Sequence, residues 1–409
     1  MIFFGTKKDF NLQLNRRVDI SHFSLNFRHI DAKMSLNSIY LGSIIETGEL
    51  DKMSKDNIVI LDTALLYPLI TAKELGSIST NHVSQMLSNK ENTFRSTYYD
   101  LSTQLGDIKK DAITLAFIGC FGGGIGDMLA SMPAFRLFVD TLKKHFNKVT
   151  IDLYSYALIG DIFTYVNEFF AHEEGVRDIK YLPLSVETLN TYDAFVDTTH
   201  FMQDAQSTSL PMVDFSLRKL GLEHDKIPTS QKAYYQEHDK KSYEFLFQDK
   251  QIEPLVKEYL HELAKSKKIV LFHPTASAPE RSLPKELSNT LMAFMLNHPD
   301  IFVISVANFT HFSHERFLDI SHLSRSTKHF CSIVANCDLC VSVDTGAFHI
   351  AQVAGVPSIV FFTAVEPLLR TKYYKNIYPI SLGLEASGDE KYEEFDLNEF
   401  VEVFNKLTL

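Results

Sequence analysis

The sequence is poor in cysteine and lacks long apolar runs. The 409 residues include four cysteines, Cys120, Cys331, Cys337 and Cys340. Three of them cluster without a fourth ligand at zinc-ribbon spacing, so we expect no metal site. Because an apolar helix leads into an apolar strand around them, we predict buried thiols, and any role beyond packing stays open. No stretch reaches the ~20 apolar residues that a membrane-spanning helix needs.

Basic charge is also scarce. The 40 Lys and Arg residues are outnumbered by 51 Asp and Glu residues, which gives a net charge of -11 and disfavours a nucleic-acid-binding protein. The low cysteine content and the lack of a recognisable secretory leader predict a cytoplasmic location, with which a peripheral position at the inner face of a membrane is compatible. A hydrophobic content of 45% is typical of a globular protein, and this length predicts two or three domains.

Hydrophobic patterning divides the chain into segments. Beyond a poorly patterned leader, strands alternate with helices, which predicts an α/β protein with parallel sheets. We therefore expect two Rossmann-like lobes with a cleft between them. The predicted segments are an accessory N-terminal domain (1–110), a first Rossmann-like lobe (111–235), a linker (236–266), a second Rossmann-like lobe (267–385) and a C-terminal helix (386–409).

The first candidate loop is glycine-rich. It runs from Gly122 through Gly124 and Gly126 to Asp127, after a buried strand and before a helix. Ligands bind at such carboxyl ends of parallel strands, and glycine permits close backbone approach. Asp127 fits either a helix N-cap, the commoner role on residue type alone, or a general base. The loop lacks the G-x-G-x-x-G spacing of a dinucleotide site, because Asp127 occupies the sixth position counted from Gly122.

The second candidate loop follows the first strand of the second lobe. Thr275, Ser277 and Arg281 lie there, beyond a strand end. Hydroxyl groups, backbone amides and a guanidinium at such a position can hold a phosphate. An ordinary surface loop with an exposed Arg is the alternative.

The third candidate loop begins where another buried strand ends. Asp344, Thr345 and Gly346 lead directly into a helix whose first turn carries His349. A helix N-terminus presents unpaired amides and partial positive charge to an anion. The His349 ring is placed to reach the same anion, although a structural role for this histidine stays open.

These segments together resemble the ADP-heptose:lipopolysaccharide heptosyltransferases, glycosyltransferase family 9, over residues 112–385. Cys337–Pro357, with the sequence CDLCVSVDTGAFHIAQVAGVP, is similar to the family stretch aDlvvgnDtGpmHlAaAlGvP. Ile125–Leu129 followed by Met132–Ala134 resembles the GD-hydrophobic-L...PAL start of the family. Tyr192–Asp197 resembles the family strand yDlviDlq.

The resemblance implies a GT-B fold and an inverting, metal-independent transfer from a nucleotide-sugar, with ADP-heptose as the family donor and no cofactor. It places Asp127 on the catalytic aspartate and Arg281 on a basic residue, usually Lys, that contacts the donor phosphates. On their residue types and position, we assign Thr275 and Ser277 to the same diphosphate site, and Gly124 and Gly126 to a loop on the acceptor side, which is the lobe of residues 111–235. Asp344, Thr345, Gly346 and His349 fall on the donor diphosphate loop.

The acceptor that the resemblance implies is a glycan, a lipid-linked saccharide or a protein. Two alternatives remain at this stage, a dinucleotide-dependent oxidoreductase and a catalytically inactive GT-B binding protein. The donor sugar, the nucleotide base, the oligomeric state and the role of residues 1–110 are not determined by the sequence.

Overall fold

The protein is represented by a computed structural model with two compact units. Unit 1 comprises Met1–Gly124, Ala134–Ser207 and Val213–Ile227, and unit 2 comprises Ile125–Pro133, Thr208–Met212 and Pro228–Leu409. The structure describes residues 2–4, 24–29, 38–42, 58–61, 70–71, 101, 105, 108–121, 124–155, 166, 169–181, 184–185, 188, 191–198, 209–233, 253–307, 312–382 and 397–408. Gly122, Gly123 and most of the predicted accessory domain and linker lie outside this set, and the predicted domain limits stay predictions.

Unit 1 contains two sheets. Four strands of the leader pair in parallel in the order β2-β3-β4-β1, and β9 joins β1 antiparallel. The second sheet has the order β5-β10-β6-β7-β8, parallel except for its edge strand β5. The strands are β1 (Ile2–Phe4), β2 (Ser24–His29), β3 (Ser38–Gly42), β4 (Ile58–Leu61), β5 (Ile70–Thr71), β6 (Ala112–Ile118), β7 (Lys148–Ser155), β8 (Val176–Tyr181), β9 (Leu184–Ser185) and β10 (Ala194–Asp197).

Two helices have residues in both units. Helix α1 (Ile125–Lys143) begins in unit 2 and continues in unit 1, and α2 (Met212–Lys219) likewise begins in unit 2. The apolar run of β6 is buried almost throughout, because a strand of a parallel sheet is covered on both faces. A cluster of phenylalanine rings, Phe117, Phe121, Phe135 and Phe170, packs beside it.

Unit 2 contains a six-stranded, fully parallel sheet in the order β13-β12-β11-β14-β15-β16. Its strands are β11 (Lys268–His273), β12 (Ile301–Ser305), β13 (Phe317–Asp319), β14 (Leu339–Val343), β15 (Ser358–Phe362) and β16 (Ile377–Ser381). Its helices are α3 (Glu253–Ala264), α4 (Lys285–Asn297), α5 (Thr327–Ala335), α6 (Gly346–Ala354), α7 (Leu368–Thr371) and α8 (Leu397–Thr408).

The core of unit 2 lies between this sheet and its helices. Phe294 of α4 packs edge-on against Phe400 and Phe404 of α8, over buried residues of the central strands. Helix α6 ends at Gly355, whose left-handed backbone (φ 77°) is the helix C-cap that the sequence predicts. The predicted α/β class with parallel sheets is confirmed.

The cysteines are buried, as predicted, and form no disulfide. Burial raises the pKa of the Cys340 thiol to about 12, so it stays protonated at neutral pH. Within the described ranges, no three residues of the types His, Cys, Asp and Glu are grouped to hold a metal ion. None of the described helices is both long and apolar enough to cross a membrane.

A buried carboxylate joins two strands of unit 1. Asp152 of β7 has no exposed side-chain surface and accepts hydrogen bonds from Arg177 (2.8 and 2.7 Å), Lys180 (2.6 Å) and Tyr192 (2.6 Å). Although burial alone would raise the pKa of Asp152, these donors hold that pKa well below its usual range. The charged form of Asp152 therefore stabilises this part of the sheet.

We predict that Asp152→Asn lowers the free energy of unfolding at pH 7 by about 1.5–3 kcal/mol, the range for hydrogen bonds to charged groups. The measurement is urea unfolding followed by circular dichroism. Because the folded-state pKa is depressed, the stabilisation is present above the ordinary Asp pKa of about 4 and is lost as the pH falls below it. The difference between the wild type and the variant should therefore shrink at low pH.

Asp178→Asn is the matched control, because this carboxylate is 56% exposed and lies 3.8 Å from the Lys180 ammonium. Its effect should stay below about 0.5 kcal/mol, as for most exposed ion pairs. Equal losses in the two variants would contradict a special role for the buried carboxylate.

Candidate active site

The strand order of the unit 2 sheet reverses between β11 and β14. Strands β11, β12 and β13 run outwards in one direction, and β14, β15 and β16 run outwards in the other. Loops that leave the carboxyl ends of the two central strands diverge at such a point and open a crevice for ligands. The predicted second and third loops are these two loops.

Arg281 connects the two loops. It ends a short 3₁₀ turn, Pro279–Arg281, and its Nη1 donates a hydrogen bond to the Asp344 carbonyl at 3.1 Å. The same atom lies 3.7 Å from Asp344 Oδ2. Ser277 accepts a hydrogen bond from Arg281 Nη2 at 3.0 Å, which orients the guanidinium. Three of the predicted phosphate-site residues are therefore in contact.

Asp344 and His349 are both buried at this position. Burial raises the pKa of Asp344, and the charges of Arg370 and Arg281 oppose that rise. Burial, with the same two cations, lowers the pKa of His349 to about 3. The imidazole is therefore neutral at pH 7 and acts as a hydrogen-bonding group rather than as a cation. The hydroxyl of Tyr374 lies 2.5 Å from its Nδ1 and fixes the ring.

The first turn of α1, which belongs to unit 2, lies against the first turn of α6. A Cβ atom on Gly126 would lie 2.8 Å from His349 Cδ2 and 3.1 Å from Nε2. A Cβ atom on Gly346 would lie 3.5 Å from Ile125 Cβ and 3.9 Å from the Gly126 nitrogen. The first predicted loop and the third are thus neighbours, and residue 126 has no space for a side chain.

Comparison with the sequence models of protein families assigns part of the chain. Residues 209–397 match Glycosyltransferase family 9 (heptosyltransferase). This span is similar to a family 9 glycosyltransferase domain. The matched span contains Arg281, Asp344 and His349, so the resemblance found in the sequence is confirmed there. Asp127 precedes the span.

Solved structures resemble the chain at low sequence identity. E. coli ADP-heptose lps heptosyltransferase II is 13% identical, with a TM-score of 0.48 over 72% of this chain and 98% of that one. The family 9 glycosyl transferase of Veillonella parvula DSM 2008 is 9% identical, with a TM-score of 0.46 over 77% and 99%. E. coli heptosyltransferase WaaC with ADP is 12% identical, with a TM-score of 0.42 over 72% and 99%. The comparison with curated proteins gives no match.

The remaining predicted residues of the site lie around this centre. Thr345 is the N-cap of α6, and its side chain makes no capping hydrogen bond. Thr275 is exposed in the loop after β11, within the span that matches family 9. Gly124 is the N-cap of α1, so Asp127 is the third residue of the helix and not the cap. Asp127 is half-buried, and its catalytic role stays a prediction.

Two further residues near this centre, Arg370 and Tyr374, were not predicted from the sequence. Arg370 influences both Asp344 and His349 electrostatically, and Tyr374 bonds to the His349 ring. Neither belongs to a recognised motif. The signal that was available was their position soon after β15, the strand expected to pair with β14 in a parallel sheet.

We predict that Gly126→Ala lowers the free energy of unfolding of unit 2 by about 1–3 kcal/mol, the usual cost of overpacking. Alanine would otherwise gain up to about 1 kcal/mol over glycine in a helix, so a loss must come from the contact with the fixed His349 ring. In an His349→Ala background the same substitution should become neutral or stabilising. Urea unfolding of the four variants of this double-mutant cycle measures the coupling.

Gly346→Ala is the control for stability. Its Cβ would make an ordinary contact of 3.5 Å with Ile125, so no loss of stability is expected. A Gly126→Ala protein at least as stable as the wild type, with no coupling to residue 349, would contradict the observed contact.

Proposed function

We propose that the protein transfers a sugar from a nucleotide-sugar donor to an acceptor hydroxyl by an inverting mechanism. The observation that carries the proposal is the contact between the first turns of α1 and α6. This contact places Gly126, the residue before Asp127, against the His349 ring, beside the Arg281–Asp344 pair. One carboxylate and one anion-binding group are thus held near one another, as glycosyl transfer requires.

The donor diphosphate fits the loops of unit 2. The α6 N-terminus supplies amides and partial positive charge, and Arg281 supplies a guanidinium suited to a phosphate. Charge grows on the diphosphate as the glycosidic bond breaks, so fixed donors aimed there stabilise the transition state more than the ground state. These groups can perform the charge neutralisation that a metal ion provides in other enzymes, which supports a metal-independent transfer.

Asp127 is the proposed general base. It takes the proton of the acceptor hydroxyl while that oxygen forms a bond to the anomeric carbon. The bond between that carbon and the phosphate oxygen breaks on the opposite face, and its electron pair leaves with the nucleoside diphosphate. A single displacement of this kind inverts the configuration at the anomeric carbon.

Heptose carried on ADP is the first donor to test, because the matched family is described as heptosyltransferase. The acceptor is a glycan, a lipid-linked saccharide or a protein. A panel of nucleotide-sugars compared by thermal shift identifies the donor, since a ligand bound by the native state alone raises the melting temperature.

We predict that Asp127→Asn lowers kcat for transfer about 10²- to 10⁴-fold, the usual contribution of a general base, while the Kd of the donor stays within about twofold. Turnover of the identified nucleotide-sugar gives kcat, and calorimetry gives the Kd of the donor. Asp300→Asn, which changes an exposed carboxylate just before β12, is the matched control and should retain full activity. Wild-type turnover by the Asp127 variant would refute the assignment.

We predict that Arg281→Ala weakens nucleoside diphosphate binding about 10- to 100-fold, because a charge-assisted hydrogen bond contributes about 1.5–3 kcal/mol. Calorimetry with ADP is the measurement. The effect should decrease as salt is raised, since salt screens exposed charge. Unchanged affinity would mean that the diphosphate binds elsewhere.

A further inference from the structure

Arg370 has a buried donor group that no described residue satisfies. Its Nη1 is inaccessible to solvent and makes no hydrogen bond to any residue that the structure describes. Leaving a buried donor unsatisfied costs free energy, and the cost is larger when the group is charged, so such groups are rare in native proteins. An arginine is a costly residue for packing alone at this position. None of the described residues satisfies this atom, so a ligand is the partner to test.

The segment that carries Arg370 is fixed at both ends to the candidate site. At one end, Thr363, directly after β15, donates a hydrogen bond to the Glu280 carbonyl at 2.7 Å, next to Arg281. At the other end, the Tyr374 hydroxyl is bonded to His349 of α6 at 2.5 Å. Helix α7 lies between these two attachments, so Arg370 is held at the same sheet edge as Arg281.

The electrostatics of the neighbouring groups agree with this placement. The positive charge of Arg370 opposes the burial-driven rise in the pKa of Asp344, and it adds to the fall in the pKa of His349. Arg281 acts on both groups in the same direction. Two guanidinium groups therefore act on one carboxylate and one neutral imidazole, which leaves positive charge at this place for an anion.

We propose that Arg370 is a second diphosphate-binding arginine, whose Nη1 donates to a phosphate oxygen of the nucleotide-sugar donor. This inference rests on the proposed function and adds a residue to its donor site. Two guanidinium groups match a diphosphate, because each forms directed hydrogen bonds to phosphate oxygens that an ammonium group forms less well. Arg370 also neutralises charge on the leaving group as the sugar departs.

The test is calorimetric titration of the whole chain with ADP and with AMP. Arg370→Gln should weaken ADP binding about 10- to 100-fold, in line with one lost charge-assisted contact. Binding of AMP should weaken less, because AMP offers one phosphate group in place of two. Lys257→Gln removes one charge from an exposed position on α3 and should leave both affinities unchanged.

An ADP affinity of Arg370→Gln equal to that of the wild type would overturn the inference and leave Arg370 as a structural counter-ion of Asp344. If the Gln variant does not fold, Arg370→Lys tests the inference instead. It keeps the positive charge and removes the planar guanidinium with its paired N–H donors. Weaker ADP binding at an unchanged melting temperature supports the inference, and wild-type affinity overturns it.

Failure of the proposed function gives a different pattern. A wild-type protein that binds none of ADP, GDP, UDP, CDP and inorganic pyrophosphate has no donor diphosphate site, and both proposals fall. If the wild-type protein binds ADP, and Arg281→Ala loses that binding while Arg370→Gln does not, the proposed function stands. Only the role of Arg370 is then refuted. If GDP, UDP or CDP binds in place of ADP, that diphosphate and its monophosphate are used throughout.

Discussion

The candidate site depends on the absence of a side chain at residue 126. The His349 ring occupies the volume that a Cβ atom there would need, at 2.8 Å from Cδ2. The Tyr374 hydroxyl, 2.5 Å from His349 Nδ1, fixes the ring. With this close approach, the helix that carries Asp127 starts beside the helix that starts after Asp344. Any side chain at residue 126 would have to displace one of these two helix ends or the ring.

Two helix N-termini that meet in this way repel one another unless negative charge lies near them. Within the described part of unit 2, Asp344 supplies one such charge, and it is buried beneath the Arg281 guanidinium. His349 adds no positive charge, because burial keeps its ring neutral. An anionic ligand at this place would bind to amides, hydroxyl groups and guanidinium groups that are already oriented. Such preorganisation is the usual source of transition-state stabilisation by charge.

Two buried charged groups of the molecule, Asp152 in unit 1 and Arg370 in unit 2, differ in their hydrogen bonding. In unit 1, Asp152 is saturated by hydrogen bonds from Arg177, Lys180 and Tyr192, and it joins neighbouring strands of a sheet. In unit 2, Arg370 has a buried nitrogen atom with no hydrogen bond to the described residues. A satisfied buried charge is explained by the fold itself, whereas the unsatisfied nitrogen atom of Arg370 is the observation behind the proposed ligand contact. This contrast separates the structural network from the binding site.

The sequence by itself determined the parallel α/β architecture, because buried strands and amphipathic helices each have a period that is visible without coordinates. It also determined the loops around Arg281, Asp344 and His349, since each directly follows a buried strand. Tertiary structure alone decided that Arg370 and Tyr374 join them, because β15 pairs with β14 and brings a segment without any motif to the same sheet edge. Tertiary structure also explains why residue 126 is glycine. A side chain there would clash with the ring of His349, which is more than 200 residues away along the chain.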